Sequence, residues 1–547
     1  MLPPDYRDSA PAALDDLMQQ LEDDILRDVA RRIGKMGTVT DTAQWQLWRL
    51  EQIRGLRSDV VKTLAQYSGR TETEIRRLMR EAGVQTLAAD DAIYRAAGRN
   101  PTPVDQSPAL SNLLNAGYRQ TRGTWRNLTA TTANTVTGQF EDALDRAWAQ
   151  VSSGAFDYQT AIHRAVGDLA RHMEYITYPT GHKDTLEVAT HRAVLTGVNQ
   201  TAAKLQVARM DEMDCQFVET TAHAGARPEH AAWQGKVFHR GGDVTYQGKH
   251  YADFETATGY GSGPGLCGWN CRHNFYPFFP GLSQSAYTPD ELKALNAKEI
   301  EYNGQKYTRY EISQMQRSAE RKVRKAKRLF MAESEAGSDT TQSAIKLKRA
   351  REQLAKFIRD TGSYPDSSRT GVAGFGRSEA GRATATSEGH HKRWLHSIGA
   401  DDTELKTLAK YYEGKYNNSP EYQLLYGYNR AVKKGDISPL IGMDVYRSVS
   451  DEITRVIVGQ TTSEGVKIES FATHFIDRII GQTSTSHKGM RLGVPVEDAL
   501  DALLNPDHFG PVRELPDGDI RQTYYGVKAA VTISIRDHRL IQTNPYD

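Results

Sequence analysis

The amino-acid sequence predicts a multidomain fold: a mainly α N-terminal region with a small α+β cysteine-containing module, a flexible linker, and a small α+β C-terminal domain of helices packed on an antiparallel sheet. Length is the first reason. The chain has 547 residues, and ~100–200 residues per domain gives about three domains. Periodicity is the second. Leu47, Leu50, Ile53, Leu56, Val60 and Leu64 recur at three- and four-residue steps, one apolar stripe of a helix. A change of texture is the third, because Gly, Trp, Tyr, Phe and every cysteine crowd into residues 211–285.

Composition removes whole classes of function. Lys+Arg 69 against Asp+Glu 68 leaves a net charge of +1, neither a basic nucleic-acid coat nor an acidic solvating chain. Three cysteines do not build a disulfide scaffold. The sequence begins MLPPDYRDSAPAALDDLMQQ, without a basic segment leading into an apolar one, and no targeting segment is expected. No run reaches the ~18 apolar residues of a membrane span, so no membrane partner is expected.

Residues 1–210 read as helices. Asp41 with Gln44, and Thr71 with Glu74, have the spacing of helix starts, and Gly83 reads as a stop. Residues 211–285 form the loop-rich module, with short strands in GKVFHR and KHYADF. Thr288-Pro289-Asp290-Glu291 opens the charged helices of residues 286–361. The stretch 362–392 is rich in Gly, Ser, Thr and Arg, lacks periodicity, and reads as a flexible linker. A helical connector, 393–460, leads to an α+β unit at 461–547. There THFIDRIIG and VPVEDALDALLNP are the helices, and FGPVREL, IRQTYYGV, AAVTISIR and RLIQTN are the strands.

Two residue sets carry candidate chemistry. In the module, Cys215, His223, His230, Cys267, Cys271 and His273 are soft or borderline ligands, and a structural zinc needs four of them to converge. Cys215, His230, Cys267 and Cys271 are the preferred set; burial as small hydrophobes beside Trp233 and Trp269 is the alternative. The basic stretch RKVRKAKR (321–328) either neutralises DNA phosphates or is a solvated helix face.

In the C-terminal unit His474 and Arg478 stand four apart on a helix, hence on one face. One titrates near neutrality and the other is a fixed cation. Thr543, Tyr525 and Lys528 lie on or beside the strands and could face a phosphate, with His487, Lys488, His508 and His538 in reserve. Arg478 has Asp477 and Glu497 as alternative surface partners.

TAHAGARPEHAAWQGKVF (221–238) followed by GLCGWNCRHNFYPFFPG (265–281) closely resembles the phage minor capsid protein 2 family, related to the Mu F-type head morphogenesis proteins. The resemblance extends over roughly residues 10–360 and implies a phage or prophage head protein, made in the host bacterial cytoplasm and carried in the virion. It implies portal and capsid proteins as partners, a part in head morphogenesis or DNA packaging, and no enzymatic activity. The Mu F-type pattern ends in Cys-Arg-Cys; here it reads Cys271-Arg272-His273, and Cys215 has no second cysteine nearby.

THFIDRIIG, the helix ending LLNP and the strands ending RLIQTNP resemble the phage-associated branch of the barnase–EndoU–colicin–RelE nucleases. That resemblance implies a metal-independent ribonuclease toxin with no cofactor, RNA as substrate and a cognate immunity protein. It also implies delivery into a target cell. His474 would transfer protons, Arg478 would stabilise the phosphorane, and Thr543 would contact phosphate. The alternative is an inactive adaptor that binds portal, capsid or DNA.

Overall fold

The computed structural model describes residues 12–36, 42–153, 155–173, 176–177, 181–482 and 490–546. The chain divides into two compact units, Met1–Ala383 and Thr384–Asp547. Among the described residues no helix is long and apolar enough to cross a membrane.

The first unit is built on α1 (Ala12–Gly34), α2 (Thr42–Ala96), α3 (Pro108–Ser152), α4 (Tyr158–His172) and α5 (Leu186–Glu212). A short ladder of β1 (Ile176–Thr177) and β2 (Lys183–Asp184) precedes α5. Asp41 lies outside the described residues. The apolar stripe of α2 does face the interior through Leu56, Val60 and Leu64. Neither helix boundary expected inside α2 exists. Thr71 is buried and its hydroxyl donates to the Tyr67 carbonyl, and Gly83 sits where Leu114 and Leu205 pack closest. The buried stripe continues past both residues, so packing overrides the local start and stop signals. α3 and α5 cross at reciprocal notches, Gly117 against Thr201 and Gly197 against Thr121.

The module follows. β3 (Phe217–Thr220) is the middle strand of an antiparallel sheet, with β4 (Val237–His239) and β7 (Phe275–Phe278) on its flanks. Helix α6 (Pro228–Ala231), the hairpin of β5 (Val244–Tyr246) and β6 (Lys249–Tyr251), and α7 (Phe254–Thr258) fill the connections. Thr288 caps α8 (Pro289–Leu295) in a full capping box, as its sequence indicates. A hairpin of β8 (Ile300–Tyr302) and β9 (Gln305–Tyr307) then interrupts the helical region. It turns at Asn303-Gly304, both at positive φ, the requirement of a tight hairpin.

α9 (Arg309–Glu335) and α10 (Thr341–Thr361) complete the helices of this unit. The basic stretch 321–328 is split by α9. Arg321, Lys322 and Lys325 are exposed. Arg324 and Arg328 turn inward to Glu22, which is fully buried; Arg324 also pairs with Glu187, and Arg328 with Asp23.

Residues 362–392, expected as a flexible linker, carry a 3₁₀ turn at Ser368–Thr370 and most of α11 (Arg377–Ser397). Ala383, Ser387, His391 and Leu395 are all buried at four-residue steps. This is a helical stripe made partly of small and polar residues, so hydrophobic periodicity does not reveal it. The turn before α11 is tied down by Lys327 Nζ donating to the Thr370 carbonyl and by Ala373 N–H donating to Asp23.

The second unit continues with α12 (Leu408–Tyr416), α13 (Pro420–Lys434) and α14 (Met443–Val456). Then come β10 (Ser470–Phe471), α15 (Thr473–Ile480) and α16 (Val496–Leu504). The last strands are β11 (His508–Phe509), β12 (Arg513–Glu514), β13 (Ile520–Tyr525), β14 (Ala529–Ser534) and β15 (Arg539–Pro545). Their order is β10-β15-β14-β13-β11, with β12 also on β13. All pairings are antiparallel except β10 with β15, which is parallel, so the sheet expected to be antiparallel is mixed at one edge. One core runs from Leu395 through Tyr446 and Phe475 to Leu540, so residues 393–460 and 461–547 pack around the same interior.

Candidate functional sites

The module's ligand-bearing residues come from two segments. α6 presents His230, and the loop leading into β7 presents Cys267, Cys271 and His273. That loop is wound too tightly for side chains. A Cβ on Gly265 would meet the Gly259 carbonyl oxygen at 1.9 Å, and one on Gly268 would meet that of Gly263 at 2.2 Å. Cys267 itself has a φ of 59°.

The winding brings three of the candidates together. His230, Cys271 and His273 are buried, with ligand atoms within 4.8 Å of one another. His230 Nδ1 is 3.3 Å from His273 Nδ1, and Cys271 Sγ is 3.8 Å from each. The outer nitrogens are held elsewhere: His230 Nε2 lies 2.9 Å from the Pro264 carbonyl, and His273 Nε2 lies 3.1 Å from Gln234 Oε1. Asn199, reaching from α5, donates to the Cys271 carbonyl at 2.9 Å. Cys267 Sγ is 3.8 Å from the His273 carbonyl oxygen, and Cys271 Sγ is 3.9 Å from the same oxygen. The His223 ring packs 4.3 Å from the His273 ring.

Cys215 lies apart from this group. Its thiol donates toward the Phe217 carbonyl at 3.3 Å, and burial pushes its pKa up. It fills the core beside Met210 and Val218, as a small hydrophobe would.

The second site lies on α15. His474 Nδ1 is 3.2 Å from Oδ2 of Asp477, whose side chain is fully buried. Arg478 Nε donates to His474 Nε2 at 3.2 Å, and its Nη1 donates to Asn544 Oδ1 at 3.1 Å. A carboxylate on one side and a guanidinium on the other select a single tautomer, neutral imidazole with its proton on Nδ1. Asp477 is fixed in turn by the Tyr446 hydroxyl at 2.8 Å and by Arg430 at 3.1 Å. It is therefore no surface partner of Arg478.

The other expected members of this site are placed differently. Thr543 is fully buried and its hydroxyl donates to the Ala530 carbonyl at 3.1 Å. Tyr525 stacks on His508 with ring centroids 4.5 Å apart and packs against Tyr546 at 4.9 Å. Lys528 is exposed, 3.7 Å from Asp498. His538 lies 3.8 Å from Glu469. His487 and Lys488 lie outside the described residues.

A family model described as phage minor capsid protein 2 matches residues 2–359. The chain belongs to the phage minor capsid protein 2 family. This minor capsid protein is 25% identical over 306 residues to a structural protein of Lactococcus phage LL-H, covering 52% of this chain and 76% of the relative. It is 31% identical over 102 residues to a structural protein of Lactococcus phage mv4, covering 18% of this chain and 74% of that relative. No solved structure matches it.

The residues that sequence reasoning missed are supporting ones. Asp477 stands three positions from His474, a spacing that alone signals a shared helix face. Asn544, Tyr446, Arg430 and Gln234 carry no local signal, since each reaches its partner from a distant segment.

Proposed function

We propose that this phage minor capsid protein sits near the portal of the virion head, and that its C-terminal unit is a metal-independent ribonuclease. The family supports the first part, with portal and capsid proteins as neighbours during head morphogenesis. The observation that carries the second is the hydrogen-bonded chain Asp477–His474–Arg478–Asn544. RNA brings its own nucleophile, the 2′-hydroxyl. As Arg478 swings from His474 to the phosphate, Nε2 is released to accept the 2′-hydroxyl proton. The 2′-oxygen bonds to phosphorus, and the guanidinium holds the phosphorane charge. The imidazolium, steadied by Asp477, returns the proton to the 5′-oxygen as the P–O5′ bond breaks. A 2′,3′-cyclic phosphate remains. Tyr525, Tyr546 and His508 offer ring faces on which bases stack, and Lys528 offers an exposed cation.

The test is cleavage of total RNA by the full chain in the presence of EDTA. Cyclic-phosphate ends are expected, and His474→Ala should slow their formation at least ~100-fold. A wild-type protein that leaves RNA intact overturns the ribonuclease reading. Equal activity in His474→Ala overturns the residue assignment. The adaptor alternative, in which the unit only binds portal, capsid or DNA, draws on Arg430, Tyr446 and Asp477. These residues tie α13, α14 and α15 together whether or not the site reacts.

A further inference from the structure

We propose that the glycine-wound module binds a structural zinc ion through His230, Cys271 and His273, with Cys267 as the fourth donor. The geometry carries the argument. His273 Nε2 donates to Gln234 Oε1, which leaves Nδ1 as that ring's ligand atom. His230 Nε2 lies 2.9 Å from both the Pro264 carbonyl oxygen and Arg227 Nη2, so Nδ1 is the nitrogen turned toward the other two residues. The two Nδ1 atoms are 3.3 Å apart, with the Cys271 sulfur 3.8 Å from both, a spacing that one divalent cation bridges. Imidazoles ligating through one nitrogen while the other donates to a carbonyl are the usual outer support of a zinc site.

The surroundings agree. All three side chains are almost fully buried, at 3%, 1% and 1% exposure, so the site is dry and shaped. Arg227 Nη2 approaches His230 Nε2 at 2.9 Å, but it also has the Pro264 and Trp269 carbonyls as acceptors and leaves Nδ1 clear. The Cys267 sulfur lies 3.8 Å from the His273 carbonyl oxygen and outside the close-set trio, so it serves as the fourth donor by moving toward the ion. Binding displaces the Cys271 and Cys267 thiol protons to solvent and leaves two thiolates and two neutral imidazoles on the ion. The group Asp436, His474 and Asp477 is also close-set, but Arg430 and Arg478 already supply its positive charge.

Elemental analysis of the purified full-length protein tests the assignment. About one zinc per chain is expected, the stoichiometry of a single tetrahedral site. Cys271→Ser and His273→Ala should lose it, whereas Cys215→Ser should keep it. Where a variant folds poorly, cobalt-loaded wild type decides. Intense visible bands of tetrahedral cobalt and a near-ultraviolet thiolate charge-transfer band are expected, both retained in His273→Cys. Wild-type protein without zinc, cobalt bands without thiolate character, or equal zinc loss in Cys215→Ser and Cys271→Ser would overturn it.

Discussion

Thr543 and His474 are both polar residues of the second unit, on β15 and α15, yet the structure gives them opposite tasks. Thr543 spends its hydroxyl on the Ala530 carbonyl inside the sheet. Thr543→Val should therefore cost about 1 kcal/mol in urea unfolding, the worth of one buried hydrogen bond, and leave RNA cleavage unchanged. His474 keeps a third of its side chain exposed, between an acceptor and a donor. The pairing of His474 with Arg478 was legible because a four-residue step on a helix fixes who shares a face. The separation of Cys215 from Cys271 was not legible. Both sit in one motif, and only the fold of β3 against β7 sends the Cys215 thiol into the apolar core. His273 was legible as a ligand type, but its convergence with His230 depends on a loop path that glycines permit and do not dictate.

Between helices, the interior charge cluster of the first unit sets a pH dependence. Glu22 on α1 is fully buried, and burial pushes its pKa up to about 7 from 4.5, despite the opposing pull of Arg328 and Arg324 on α9. Asp23, beside it, is raised for the same reason. A carboxyl whose folded pKa lies above its unfolded value favours folding while protonated. Its contribution is complete below 4.5 and is lost as pH rises through about 7. The slope from one such group is at most ~1.4 kcal/mol per pH unit. Glu22→Gln removes that titration, so its stability should fall less steeply than wild type between these two pH values in denaturant titrations. An unchanged slope would assign the effect to other groups. The basic stretch on α9 illustrates what sequence conveys about an element: its helical state was legible, and its orientation was not. Three-residue and four-residue steps around Arg321–Arg328 put cations on several faces, and only packing against α1 decides which cations become interior. α11 failed for the opposite reason. Its buried stripe includes Ala383, Ser387 and His391, residues that a search for large apolar side chains passes over.

At the scale of the whole molecule, the two units have separate hydrophobic interiors, and this has a thermodynamic consequence. The largest core of the first unit runs from Leu14 to Ala332, and that of the second from Leu395 to Leu540. Cooperative unfolding follows a shared interior, so the full chain should melt in two calorimetric transitions. Paired variants identify them. Asp477 is fully buried under Tyr446 and Arg430, so Asp477→Ala leaves a half-buried guanidinium and a buried hydroxyl without their carboxylate. Breaking a buried ion pair costs ~3–5 kcal/mol, and with Arg430 part-exposed the loss falls at the low end, about 3 kcal/mol, which moves the midpoint of a unit of this size by about 10 °C. Only the transition of the second unit should move. Glu22→Ala leaves Arg324 and Arg328 with Glu187 and Asp23 but a diminished acidic cluster on α1, and should lower only the other transition. The two variants also separate the functional readings. If the C-terminal unit cleaves RNA by itself, Glu22→Ala should leave cleavage intact at temperatures where the first unit has melted, because every residue of the Asp477–His474–Arg478–Asn544 chain belongs to the second core's unit. A single transition that both variants shift together, or cleavage lost with melting of the first unit, would show that the chain folds and works as one body.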